Sequence, residues 1–224
     1  MKKPKIFIAC DTTNLKKVNR IIEETKNSKL IFGYKFGLEF LNSKKGRNFI
    51  SKLKKKIVFG DYKIADIPNT SASAIKAVKD LKLNYITIHI SSGLKALEAA
   101  KKVSGKTKLI GVTILTSLDN KALKEIGYNK DVKKLVLKQA KLASKAKLDA
   151  IVCSPLEIKL VKKVFKKEII TPGIRLPGDK KGDQSRVMTP KQAFKNGASS
   201  LVIGRSLTKG NIKKNIQKLI RELK

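Results

Sequence analysis

Short apolar runs recur along the chain at 5–10, 30–36, 57–60, 85–90, 109–115, 150–153, 169–171 and 201–204. Each has strand length, and most are separated by stretches with helical spacing. One such stretch carries Leu15, Val18, Ile21 and Ile22; another follows Gly210-Asn211 with Ile212, Ile216, Leu219, Ile220 and Leu223. Spacings of three and four place these side chains on one helical face. Eight strands alternating with helices, with no linker or low-complexity segment, predict a single (β/α)8 TIM barrel, an α/β fold, over residues 1–224. An open doubly wound sheet is the competing architecture. The strand count and the lack of a Gly-x-Gly-x-x-Gly turn after the first strand argue against it.

Polar residues fall where such a barrel builds its active site, at the C-terminal ends of the strands. Asp11 ends the first run, Lys35 sits on the second, and Asp61 and Lys63 follow the third. His89 closes the fourth, Thr116-Ser117 the fifth and Ser154-Pro155 the sixth. The seventh runs into Pro172-Gly173-Ile174-Arg175, and the eighth into Gly204-Arg205-Ser206.

The segment Asp61-Tyr62-Lys63-Ile64-Ala65-Asp66-Ile67-Pro68-Asn69-Thr70 is the densest in chemistry. Asp61 and Lys63, two apart on an extended backbone, point to the same side. Pro68-Asn69 opens a helix just after Asp66. Charges of both signs at the mouth of a buried strand are costly unless they pair or do chemistry. A structural salt bridge at a strand end is the other reading of these residues. Gly204-Arg205 combines backbone donors with a permanently charged fork, after the strand whose loop commonly grips phosphate in this fold. The polar, Gly-rich stretch 172–190 has the length of a lid, with Gln184 in its middle.

Composition narrows the function. The chain has 224 residues, 41% of them hydrophobic, enough for a sizeable core. No apolar stretch has the length of a membrane span, and the run after Met1 is too short for a signal peptide. Cys10 and Cys153 lie in apolar runs, where buried thiols are ordinary, and suggest no disulfide or zinc site. His89, the only histidine, has no companion at metal-ligand spacing and reads as a core or supporting residue. These features predict a soluble cytoplasmic protein without a metal. The net charge of +35 comes from 52 Lys and Arg against 17 Asp and Glu. Lys is spread along every predicted helix and aromatics are 5%, so a specific nucleic-acid surface is not expected. The excess should still attract anionic substrates. Arg is scarce, and three of the six (Arg175, Arg186 and Arg205) lie close together in sequence.

The residues 61–70 match the signature Asp-x-Lys-x-x-Asp-Ile-Pro-Asn-Thr, and the chain resembles the orotidine 5′-phosphate decarboxylase family. The resemblance continues through Asp11, Lys35-Phe36-Gly37, Leu115-Thr116-Ser117, Val152-Cys153-Ser154, Thr171–Arg175, Gly182-Asp183-Gln184, Arg186–Pro190 and Val202–Ser206. It departs at Tyr62, where Leu is more usual, and at Ile90–Gly93, with Ser91-Ser92 where Ala and Gly are usual. It implies cofactor-free decarboxylation of orotidine 5′-monophosphate to UMP, the last step of pyrimidine nucleotide synthesis. Lys63 would stabilise the carbanion at C6 and protonate it; Asp61 would press on the substrate carboxylate; Lys35 and Asp66 complete the charged array. It further implies that Asp66 and Thr70 reach the site of a second subunit in a homodimer, with Ile67 among the substrate-binding residues. Asp11 and Lys35 would bind ribose, Thr116 the pyrimidine edge, and Gln184, Gly204 and Arg205 the phosphate, with Arg175 supporting the lid. A magnesium-dependent sugar-phosphate decarboxylase, aldolase or epimerase on the same barrel is the alternative enzyme.

Overall fold

The eight apolar runs become eight parallel strands: β1 (Lys5–Ala9), β2 (Ile31–Phe36), β3 (Ile57–Ile64), β4 (Tyr85–His89), β5 (Lys108–Val112), β6 (Ala150–Val152), β7 (Glu168–Thr171) and β8 (Ser200–Ile203). They pair in sequence order, and β8 pairs back onto β1, with Lys5 opposite Ser200 and Ile8 opposite Ile203. That closure excludes the open sheet. The structure, a computed structural model, describes residues 4–179 and 186–224.

Alternation along each strand sorts side chains into two compartments. Phe7, Phe59, Tyr85, Ile110, Ala150, Ile170 and Val202 fill the barrel interior as one cluster. Their strand neighbours Ile6, Ile8, Val58, Ile86, Ile151 and Leu201 join Val18, Ile21, Ile216 and Leu219 of the surrounding helices in the larger core. Inside, the Phe7 ring stands edge-on to Phe59 and to Tyr85, each at 5.2 Å between centroids. Gly33 on β2 must be bare, because a Cβ there would lie 2.7 Å from the Phe7 ring.

The interior is closed at its N-terminal end by the first residues of four strands. Glu168 accepts from Lys108, from Lys5 at 3.3 Å and from the Tyr85 hydroxyl at 3.0 Å. Burial would raise the Glu168 carboxyl, but these three partners outweigh it and hold it below its usual value. Apolar layers separate this plug from the opposite mouth.

The helices begin where side chains can cap them. Asn14 accepts from the Lys17 amide ahead of the helix Leu15–Thr25, and Asn211 from the Lys214 amide ahead of Ile212–Glu222. Pro68 opens Pro68–Ala77 at a position where its missing N–H costs nothing.

Two strand ends differ from the sequence expectation by more than one residue. β5 stops at Val112, not Leu115: the Thr113 amide makes the last ladder bond to the Val152 carbonyl at 3.1 Å, the Thr113 hydroxyl donates to the same carbonyl at 2.8 Å, and a turn closes from Leu118 to Leu115. β3 runs past Gly60 to Ile64, and its register with β4 shifts between Gly60 and Ile64. The bulge falls at the charged segment, and it reshapes how those charges meet. Tyr62, within it, packs its ring over Gly60 and against the outer core, behind the barrel mouth.

Candidate active site

The register shift in β3 sets the geometry of the mouth. Lys63 adopts φ 49°, the left-handed region, which is costly for a residue with a Cβ. Its amide donates to the Thr87 hydroxyl of β4 at 2.8 Å. The same hydroxyl donates to Asp61 Oδ1 at 3.1 Å. Thr87 is 1% exposed, so its hydroxyl is shielded from water. Asp61 and Lys63 therefore meet across a bulge held by Thr87, and not through simple two-residue alternation; Lys63 Nζ lies 2.7 Å from Asp61 Oδ2.

Asp61 is also not confined to one lysine. Lys35 Nζ, rising from β2, reaches Asp61 Oδ2 at 3.3 Å and Asp11 Oδ1 at 3.1 Å. The result is a chain of alternating charge: Asp11, Lys35, Asp61, Lys63. Burial alone would raise the Asp61 carboxyl, yet Lys35 and Lys63 together hold it below its usual range, so it stays ionised. Burial would lower Lys35, and Asp61 with Asp11 reverse that and raise it. Each charge is tolerated because its neighbour is opposite, as buried ions require. His89 is half-buried nearby; burial and Lys63 lower its pKa against the pull of Asp61, keeping it neutral at pH 7.

This array lines one wall of a cavity of about 490 Å³ at the C-terminal ends of the strands. Val112, Ile114, Val152 and Val202 form its apolar floor, and Thr116, Arg175, Gly204 and Arg205 its far side. Two guanidiniums share that side. Burial and then Arg205 draw Arg175 below its usual value, with Asp179 opposing. Like charges brought this close create a well for an anion. One end of the cavity thus suits a phosphate and the other a group reacting among fixed charges.

Among the residues singled out from sequence, Asp11, Lys35, Asp61, Lys63, Thr116, Arg175, Gly204 and Arg205 converge on this cavity. Asp66, Ile67 and Thr70 do not line it: they are exposed at the start of the helix Pro68–Ala77, with Ile67 66% exposed. Gln184 lies outside the described residues. Both cysteines are free and buried, and burial pushes the Cys10 thiol up to about 12. Thr87 and Glu157 escaped the sequence reading, and Arg186 was singled out only as a scarce residue and as part of the matched stretch 186–190, without a role. Thr87 faces inward two residues before His89, so alternation could have placed it.

The profile of the orotidine 5′-phosphate decarboxylase / HUMPS family matches residues 4–218. The chain is 42% identical over 219 residues to the orotidine 5′-phosphate decarboxylase of Prochlorococcus marinus strain MIT 9215, covering 92% of this chain and 89% of that one. Identity to the orotidine 5′-phosphate decarboxylase of the Wolbachia of Brugia malayi is 42% over 221 residues, 96% of each chain. The crystal structure of orotidine 5′-phosphate decarboxylase from Lactobacillus acidophilus superimposes with a TM-score of 0.83 at 30% identity, covering 99% of both chains.

Proposed function

The chain belongs to the orotidine 5′-phosphate decarboxylase / HUMPS family, and we propose that it decarboxylates orotidine 5′-monophosphate to UMP, completing pyrimidine nucleotide synthesis. Relatives at about 42% identity over most of the chain carry that activity in their names, which favours it over the sugar-phosphate alternative. The observation that carries the chemistry is Asp61, buried, ionised and bonded to two lysines at the end of a cavity whose other end holds two guanidiniums.

In this reading the phosphate sits against Gly204 and Arg205, with Arg175 beside it and Gln184 joining from the loop after β7. The pyrimidine lies over the valine floor with its edge at Thr116, and the ribose hydroxyls meet Asp11 and Lys35. The substrate carboxylate then faces Asp61. Asp61 cannot relieve the repulsion by taking a proton, because Lys35, Lys63 and Thr87 stabilise its charge. The bond from C6 to the carboxylate breaks, carbon dioxide leaves, and the electron pair remains on C6. Lys63 stabilises that charge as it forms and delivers its proton to C6. A preorganised cation acts here without reorganising at the moment of reaction. Binding energy from the remote phosphate supports the unfavourable placement of two carboxylates.

The exposure of Asp66, Ile67 and Thr70 at the rim supports a second part of the proposal, a homodimer in which these residues enter the partner's site. The reading takes residues 1–224 as one catalytic domain that works without a cofactor, in the cytoplasm, where Cys10 and Cys153 remain thiols. Among the described residues no helix is long and apolar enough to cross a membrane. The test is the loss of orotidine 5′-monophosphate absorbance with a chelator present, with UMP identified as product. No turnover, or turnover that requires added magnesium, overturns the reading.

A further inference from the structure

Arg186 stands where the long loop after β7 returns to the barrel. The two stems of that loop are zipped: the Arg175 amide donates to the Met188 carbonyl and the Met188 amide to the Gly173 carbonyl, both at 3.1 Å. Just inside this neck, the Arg186 guanidinium spreads over three acceptors on two other loops. Nη1 donates to Glu157 Oε1 at 2.6 Å, Nη2 to the Leu115 carbonyl at 3.1 Å, and Nε to the Thr116 carbonyl at 3.4 Å. The pair is shielded, with side-chain exposures of 14% for Arg186 and 4% for Glu157. Glu157 Oε2 has no hydrogen-bond partner among the described residues, so among them nearly all compensation for this buried carboxylate comes from Arg186.

A buried pair of this kind is a poor device for stability alone, since apolar residues of similar volume commonly do as well. What it supplies is geometry. A planar fork with several donors in fixed directions holds acceptors in one arrangement, which a lysine cannot reproduce. The acceptors held here are the carbonyls of Leu115 and Thr116, both lining the cavity, in a segment that β5 no longer supports beyond Val112. We propose that Arg186, oriented by Glu157, is a positioning residue for the 115–116 segment, and that it sets the placement of Thr116 against the substrate's heterocycle. The inference rests on the decarboxylase reading, which puts Thr116 at the pyrimidine edge.

Arg186→Gln alone strands the Glu157 carboxylate, so the principal variant is Glu157→Gln with Arg186→Gln, a neutral amide pair. Its kcat/KM for orotidine 5′-monophosphate should fall roughly ten- to a hundredfold, the range for losing charge-assisted hydrogen bonds. Introduced into Thr116→Ala, the same pair should cost less than about threefold, because groups acting through one another are not additive. Combined with Arg205→Ala, which acts at the phosphate, the losses should multiply. Arg186→Lys, keeping charge without the fork, should fall between. Equal losses with Thr116 intact and in the Thr116→Ala background would overturn the proposal and leave Arg186 a general support of the fold. Amide exchange supplies a readout free of turnover: the Leu118 amide, which donates to the same Leu115 carbonyl that Arg186 holds, should lose protection in the double variant while β1 and β8 keep theirs. Uniform loss of protection, or none at Leu118, also overturns it. If the unaltered enzyme fails to turn over orotidine 5′-monophosphate while Leu118 responds as expected, the decarboxylase reading has failed and the positioning has not.

Discussion

Thr87→Val isolates the support beneath the reacting charges. Valine has nearly the shape of threonine, so packing on β4 survives while the hydroxyl goes. Two bonds go with it: one to Asp61 at 3.1 Å and one from the Lys63 amide at 2.8 Å. A hydrogen bond to a charged group contributes about 1.5–3 kcal/mol, and an amide left buried without an acceptor costs about 1–3 kcal/mol. The sum, about 2.5–6 kcal/mol, is an upper range, since water can reach the half-buried Lys63 side. Lys63 sits at φ 49°, a backbone state that survives only when its surroundings enforce it. Without Thr87 the segment should relax, moving Lys63 Nζ relative to C6. If one-half of the loss falls on the transition state, kcat should drop roughly ten- to a hundredfold at about 1.4 kcal/mol per decade. Thr87→Ser, which keeps both bonds, should hold kcat within about threefold while losing about 1 kcal/mol of stability for a methyl group. Steady-state decarboxylation and denaturant unfolding of both variants decide the matter. If Val and Ser lower stability alike and leave kcat alike, Thr87 merely packs, and the argument from the bulge is wrong.

Lys63→Ala should abolish turnover while the protein still folds and binds nucleotide; more than a few per cent of kcat remaining would remove Lys63 as proton donor. Asp66→Asn should be nearly inactive alone, yet mixing it with Lys63→Ala should restore up to about a quarter of activity, from one intact site per randomly formed heterodimer; confirmed subunit exchange without recovery would place Asp66 in its own chain's site. Arg205→Ala should lower kcat/KM for orotidine 5′-monophosphate on the order of 30- to several-thousand-fold, from about 2–5 kcal/mol for a broken charged contact. The phosphate-free nucleoside orotidine should be almost indifferent to it, and equal losses would give Arg205 a role in folding instead. Glu168 is held below its ordinary value of 4.5, so its contribution to stability is full above that pH and is lost as pH falls through the depressed folded value. Glu168→Gln should therefore flatten the decline in thermal stability below about pH 4.5, and an unchanged acid limb would mean the plug contributes nothing.

Most of the architecture was legible because a barrel strand repeats one pattern eight times. Alternation decides which residues point inward, so Phe7 and Phe59 could be expected in the interior and Asp61 at its mouth. Strand ends were less legible, and for a local reason. β5 stops early because its neighbour β6 ends at Val152, whose carbonyl takes the last ladder bond, from the Thr113 amide, and the Thr113 hydroxyl as well, a contact between residues 39 apart that no window on either run can contain. The left-handed state of Lys63 is equally hidden, since a glycine would have announced it and a lysine does not. Asp66 and Thr70 were visible as a motif, but their exposure away from the cavity is not written in the spacing.

The charge of the whole chain bears on the same site from a distance. A net +35 favours the approach of any anion to the barrel, yet attraction alone does not distinguish one end of a nucleotide from the other. That distinction is made within the cavity. At the Arg175–Arg205 side two guanidiniums lie close enough to lower the pKa of Arg175, the end to which the proposed reading assigns the phosphate, whereas at the other side Lys35 and Lys63 are bound to Asp11 and Asp61. A substrate with two anionic groups meets concentrated positive charge at one end of the cavity and alternating charge at the other. In the proposed reading its phosphate takes the guanidinium end and its carboxylate is left facing Asp61, where losing carbon dioxide is what removes the repulsion. Orientation and reaction would then follow from the same asymmetry: Asp61 keeps its charge because Lys35, Lys63 and Thr87 hold it.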